Sequence, residues 1–241
     1  MVGIWAGVKE EMKSPDNSTI LNAIERGVAA MNKRMIWILV GAVVLAAVAA
    51  LAWGPIVSNV EQAKYAVVET HGAIEIRDYA PMIVAEVSVT GDRETAIGDG
   101  FRLIADYIFG NNIASQKVAM TAPVIQEPGE KIAMTAPVTQ QGREGVWWVR
   151  FVMPSNYTMQ TLPRPNNTDV TLKEMPGKRF AVIRFSGRAR NSSLEEHTKE
   201  LRSFIADRNL QAVSEPTYAF FNPPWTLPFL RRNEVMIEIS R

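Results

Sequence analysis

From Met35 to Val60 the chain carries no charged residue. A run of this kind has few physical outcomes. It lies in a bilayer, or it is wrapped by apolar neighbours on every side. A bilayer core takes roughly 20 apolar residues as helix, and residues 35–57 supply that length. Arg26, Lys33 and Arg34 precede the run, and close behind it only Lys64 follows. That basic asymmetry predicts a transmembrane helix with a cytoplasmic N-terminus and an extracytoplasmic domain after it. Trp37 and Trp53 stand near the two ends, where indole rings favour the interface. A cleaved signal peptide competes with this reading. Ala50-Leu51-Ala52 has the form of a cleavage site, and MNKRMIWILV from Met31 reads as a signal start, which would make Met31 rather than Met1 the true start. Residues 1–34 are expected to be a weakly ordered cytoplasmic segment. Either reading exports residues 61–241.

Composition narrows what the exported part can hold. The chain has 241 residues and no cysteine, so disulfides, thiolate metal sites and covalent c-type haem attachment are excluded. A net charge of +1 argues against a broad nucleic-acid footprint. Only two histidines are present, His71 and His197.

The pattern after Glu61 is strands and two helices. Lys64–Glu69, Ala73–Tyr79, Met82–Thr90, Val146–Met153, Val170–Lys173, Arg179–Phe185, Tyr218–Phe221 and Glu234–Ser240 are rich in apolar and β-branched residues or alternate with period two. Asp92 can cap a first helix with Ile97, Phe101, Ile104, Ala105 and Ile108 on one face and Gly110 at its end. Gly98 and Gly100 inside it suggest a close approach to the backbone. Ser192 with Glu195, and Ser193 with Glu196, each have the form of a capping box opening a second helix, whose apolar face is Leu194, Leu201, Phe204 and Ile205. IVAEVSVTG before the first helix and LIAD within it parallel AVIRFSGRA and FIAD in the second half, an internal repeat. Two such halves predict an α+β fold, a distorted antiparallel β-barrel carrying two helices.

KVAMTAPV, from Lys117, is repeated as KIAMTAPV from Lys131. Proline cannot donate to a ladder, so Pro123 and Pro137 belong at an edge, a strand start or a bulge, with Pro128-Gly129 as a turn between the arms. YAVVETHGAIEIRDYAP, IAMTAPV and PPWTLPFLRRNEVMIEI, in that order, resemble the SOUL haem-binding protein family across Lys64 to Ile239, in its prokaryotic form with the doubled phrase. The resemblance implies a barrel of two related halves that binds haem or a related tetrapyrrole non-covalently in an apolar groove, without catalysis. No histidine is shared across haem-binding members, so the resemblance carries over no axial ligand. It points to basic residues on the first helix for the propionates. Here Arg93 and Arg102 stand among Asp92, Glu94, Asp99 and Asp106.

The residues themselves offer candidates. His197 falls on the apolar face of the second helix, either as an axial ligand or as a histidine at the core margin. His71, in a turn, is the weaker metal candidate. Met120 and Met134 are soft ligands or gap fillers. Phe101, Trp225 and Phe229 could wall a flat ligand. Arg231 and Arg232, or Lys117 and Lys131, could meet its carboxylates. No H-E-x-x-H, G-x-S-x-G or phosphate-binding glycine loop is present, so no enzyme is expected. The main expectation is a membrane-tethered tetrapyrrole carrier or buffer. A non-catalytic small-molecule sensor, or a protein-interaction module docking through the Phe220–Phe229 loop, is the alternative.

Overall fold

Eight stretches that read as strands in the sequence are strands in the computed structural model, which describes residues 33, 35–45, 60–114 and 129–240. The chain divides into two compact units, residues 1–51 and 52–241. In the first, residues 35–45 are helical and their side chains are exposed. They are the described part of the expected 35–57 span; residues 46–59, with the Ala50–Ala52 cleavage signal, and the segment before Lys33 lie outside the described residues. Among the described residues no helix is long and apolar enough to cross a membrane.

Among the described residues the second unit holds thirteen strands: β1 (Glu61–Gln62), β2 (Tyr65–His71), β3 (Ile74–Tyr79), β4 (Met82–Thr90), β5 (Asn112–Ile113), β6 (Thr135–Ala136), β7 (Val138–Arg143), β8 (Val146–Val152), β9 (Arg164–Pro165), β10 (Thr171–Met175), β11 (Arg179–Phe185), β12 (Thr217–Phe220) and β13 (Asn233–Glu238). Its long helices are α1 (Arg93–Ile108) and α2 (Asn191–Asp207). Nine strands form one antiparallel sheet in the order β10-β4-β8-β7-β12-β13-β11-β3-β2. The order is mirrored about the β7–β12 pair: β4-β8-β7 with α1 on one side, β11-β13-β12 with α2 on the other. The internal repeat is thus a repeat of structure.

The expected closed barrel is a curled half-barrel. Among the described residues β10 and β2 are edges and do not pair with each other. Edge β2 carries a bulge between Val67 and Glu69 and five exposed residues in its interior, features that discourage further pairing.

Side-chain alternation sorts every central strand into two faces. One face lies under the helices. Ala85, Val87, Val149 and Phe151 pack on Ile104, Tyr107 and Ile108 of α1. Ala181, Ile183, Val235 and Ile237 pack on Leu194, Leu201 and Ile205 of α2. A third cluster on the opposite face joins Tyr79, Val182, Ala219, Phe221 and Met236 under Val60, Ala63 and Tyr65.

Both helices begin next to the residues expected, with one difference in capping. The Asp92 carboxylate accepts from the amides of Glu94 and Thr95, each at 3.0 Å. The buried stripe of α1 runs through Ala96 and Gly100 as well as Ile104 and Ile108, so a small residue sets the helix-to-sheet distance. A Cβ on Gly100 would stand 2.6 Å from Val149 Cγ2, whereas one on Gly98 would meet nothing within 4 Å. The close approach expected at both glycines exists at one. Neither capping box forms on α2. Its N-cap is Arg190, without a side-chain bond, and Ser192 and Ser193 lie inside the first turn.

Candidate functional site

The face of the sheet away from the helices is hollow. Met82 and Val84 of β4, Val152 of β8, Phe180 of β11 and Met236 of β13 line a cavity of about 110 Å³, with Ala63 and Pro137 at one end. These are the even positions of strands whose odd positions fill the helix-side cores, so alternation alone aims them here. Pro137 follows β6 in the second copy of the repeated phrase. β7 resumes at Val138, and the Thr135 hydroxyl donates to the Val152 carbonyl where the ladder is interrupted. The first copy, with Lys117, Met120, Thr121 and Pro123, lies outside the described residues.

A second hollow of about 680 Å³ is lined by Arg143, Trp148, Arg150, Arg202 and Glu215, among others. Gln141, Arg150 and Ser214 line both hollows, so the two adjoin. The result is a trough with an apolar floor and an arginine-lined mouth.

Polar groups in the trough are held in place. Arg150 Nε donates to Glu86 Oε2 at 2.5 Å and its Nη1 to Gln141 Oε1 at 3.2 Å. Lys173 also donates to Glu86. Burial pushes the Glu86 carboxyl up, but the Lys173 and Arg150 bonds and charges outweigh it and hold its pKa below the usual carboxylate range. At the mouth Arg143 meets Glu144 and Arg202 meets Glu215, each at 3.3 Å and well exposed to water. Such exposed pairs contribute roughly 0–1 kcal/mol, so both arginines can exchange partner for a ligand carboxylate.

Beside the trough, Glu234 is fully buried between Arg77, at 2.9 Å, and Arg232, at 2.7 Å. Burial opposes the Arg77 charge, but the bond and attraction of Glu234 prevail and raise its pKa. Tyr79 accepts from Arg77, and burial followed by the Glu234 charge pushes its phenol up to about 12.

The residues singled out in the sequence are scattered. His71 has both ring nitrogens engaged: Nε2 lies 3.0 Å from Glu69 Oε2 and Nδ1 lies 3.0 Å from Arg208 Nη2. His197 stacks on Phe185 with ring centroids 4.2 Å apart. Its Nδ1 is 3.5 Å from Glu200 Oε2 in a geometry that makes no hydrogen bond. Neither histidine lines the trough. Phe101 packs against Phe151 under α1. Met134 and Lys131 are exposed. Trp225 and Phe229 are 66% and 65% exposed. Arg231 is folded back onto the carbonyls of Thr226 and Pro224, and Arg232 is committed to Glu234, Tyr65 and Gln62. On α1, Arg93 bonds Asn191 and the Ala189 carbonyl, and Arg102 pairs with Asp99.

Sequence reading missed the trough because its walls alternate with core residues and are mixed in polarity. The available signal was the second face of the strands already identified. Among the described residues no cluster of three or more His, Asp or Glu side chains could hold a metal ion.

Residues 60–238 match the model of the SOUL heme-binding protein family. The chain belongs to this family. Heme-binding protein 2 of Homo sapiens is 29% identical over 171 residues, covering 69% of this chain and 78% of the relative. Heme-binding protein 2 of Mus musculus is 26% identical over 172 residues, with the same coverage. Among solved structures, the C-terminal domain of EcmrR is similar with a TM-score of 0.49 at 10% identity, covering 73% of this chain and 98% of that one. SOUL membership makes non-covalent haem binding the shared property of the group, and a binding family rather than a catalytic one. The donors present fit a macrocycle held by its apolar faces and its carboxylates. They do not fit one clamped by His71, whose nitrogens are both taken.

Proposed function

We propose that this SOUL domain binds haem or a related tetrapyrrole in the trough, as a carrier or buffer, while residues 35–57 tether it to a membrane with the N-terminus cytoplasmic. The observation that carries this is the adjacency of an apolar floor and an arginine-lined mouth, which share Gln141, Arg150 and Ser214. A tetrapyrrole is a flat apolar ring with carboxylates along one edge, and the two hollows together present those two surfaces side by side. The floor alone, at about 110 Å³, falls below the roughly 300–1,000 Å³ that encloses a drug-sized ligand, so the ring would extend into the mouth. Met82, Val84, Val152, Phe180 and Met236 would contact the ring, and the methionines can adapt to its shape. Arg143 and Arg202 would take the carboxylates. The bound group would supply a redox-active iron and its visible absorbance; the chain supplies the apolar surface and the charge. No catalytic role is proposed.

Titration of the full chain with hemin, followed at the Soret band, tests the reading. Val152→Trp fills the floor and is expected to abolish the band shift with far-UV circular dichroism intact. Arg143→Gln together with Arg202→Gln removes two charge-assisted bonds and is expected to weaken binding by about 10- to 100-fold. Unchanged affinity in the folded Val152→Trp protein refutes the trough as the site. Protease accessibility in sealed membrane vesicles reports the orientation of the tether.

A further inference from the structure

The loop between β12 and β13 has features the trough does not use. Trp225, Leu227, Phe229 and Leu230 all project into solvent, Trp225 and Phe229 by about two-thirds of their surface. Yet the loop is held firmly. Arg231 Nε donates to the Thr226 carbonyl at 2.8 Å and its Nη2 to the Pro224 carbonyl. The Arg232 amide donates to Asn222 Oδ1 at 2.6 Å, and Gly187 N donates to the Pro228 carbonyl at 2.9 Å. A short 3₁₀ turn spans Pro228–Leu230. This is a preformed apolar knob, and ordering costs do not oppose its use.

Two further observations say what covers it. The segment Gly187–Arg190 that holds Pro228 carries Arg188 and Arg190, both exposed, and among the described residues no carboxylate pairs with either. The base of the knob is also tied to the point where the chain enters the domain. Arg232 donates to Gln62 Oε1 at 3.1 Å and to the Tyr65 hydroxyl at 3.4 Å, and its guanidinium stacks on Phe221 at 3.8 Å. Residue 60 follows the exposed apolar helix of residues 35–45 by fifteen positions.

We infer that the Trp225–Leu230 knob enters the interface of a lipid bilayer, with Arg188 and Arg190 beside it meeting anionic headgroups. The inference rests on the tether proposed above, which keeps the domain near a membrane. Aromatic rings prefer the headgroup level, and each arginine near an anionic surface strengthens association by about fivefold. A bilayer contact also leaves the trough free to load and release its ligand.

The chain lacks cysteine, so one engineered thiol gives one label. The full chain carrying Phe229→Cys is labelled with a nitroxide and reconstituted in vesicles of equal parts phosphatidylcholine and phosphatidylglycerol. Glu144→Cys, in the exposed β7–β8 turn, is the water-facing control. The label at 229 is expected to be reached by oxygen and shielded from an aqueous nickel complex, with the reverse at 144. Arg188→Gln with Arg190→Gln is expected to lower the immersed-to-exposed label ratio about fivefold per charge. A label at 229 as open to nickel as that at 144 overturns the inference. So does shielding that arises only after membrane-protein extract is added, since a protein then covers the knob. Flotation separates the tether from the knob. A chain that floats with 229 in water keeps the tether and loses the knob. One that floats only on anionic vesicles, and is released by Trp225→Ala with Phe229→Ala, keeps the knob and loses the tether. A chain that floats on neither refutes both.

Discussion

Two glycines one turn-face apart on α1 give opposite expectations from the same substitution. Alanine at an exposed helix-interior position is favoured over glycine by about 0.8–1.0 kcal/mol. Gly98 is exposed with open space around its absent Cβ, so Gly98→Ala is expected to stabilise by about that amount. Gly100 faces the sheet. Its added Cβ would meet Val149 Cγ2 at 2.6 Å, Val149 Cβ at 2.7 Å and Val87 Cγ2 at 3.1 Å. Val149 is fully buried on β8, a strand paired on both sides, and a β-branched side chain there has no alternative rotamer that clears the contact. Overpacking of this kind costs about 1–3 kcal/mol, and the two contacts under 3 Å argue for the upper end. After the propensity gain, Gly100→Ala is expected to destabilise by about 1–2 kcal/mol, leaving the pair about 2–3 kcal/mol apart. For a domain of this size each kcal/mol is about 2–4 °C in Tm. Urea denaturation of the full chain in detergent, followed by circular dichroism, measures both. If Gly100→Ala stabilises as much as Gly98→Ala, the α1–β8 contact described above is wrong.

Glu234→Gln leaves Arg77 charged and buried without its strongest partner, and should lower unfolding free energy by about 3–5 kcal/mol in urea titrations; a loss under about 1 kcal/mol would contradict the pair. Glu86 has a lowered pKa when folded, so its contribution is present above the unfolded value of about 4.3 and disappears as pH falls through the folded one. The urea midpoint should therefore drop below about pH 4 in the wild type and drop less in Glu86→Gln. Tyr79 keeps its proton in the folded state up to about 12, while the unfolded chain releases it near 10, so stability should fall as pH rises past about 10 and the fall should be shallower in Tyr79→Phe. Hemin affinity should change less than about threefold in His71→Ala and His197→Ala, since neither lines the trough; a loss beyond about tenfold on removing either imidazole would point to axial ligation instead.

Strands whose one face is a core were legible, because burial enforces period-two alternation: Met82–Thr90 and Arg179–Phe185 were read to the residue. The central strand β7 was not. Its sequence, VTQQGR, reads as polar because Gln140 is buried with its amide on the Arg93 carbonyl, and Gln141 bridges Arg150 and the Glu215 carbonyl. Bonds to partners far along the chain replace apolarity there, and no local pattern records them. The same holds for the site. Arg77 and Glu75 alternate with Ile74 and Ile76 and read as a solvent-facing row, yet Arg77 is buried and bonded to Glu234 on β13, two strands away. Trp225 and Phe229 stand among the ligand-wall candidates because aromatics in a loop are unusual; nothing local records that both are largely exposed. The capping boxes of α2 matched in spacing and failed in place, since the helix begins two residues earlier than the first requires and three earlier than the second.

The mirrored strand order sets β7 and β12 side by side at the middle of the sheet, and Thr139, Gln141 and Thr217 from those two strands line the floor of the trough. A guest there straddles the junction between the duplicated modules. Each module keeps a helix-backed core to itself, but neither owns the berth. On the proposed function, a chain whose modules parted along that junction would lose its cargo first, with both cores still standing.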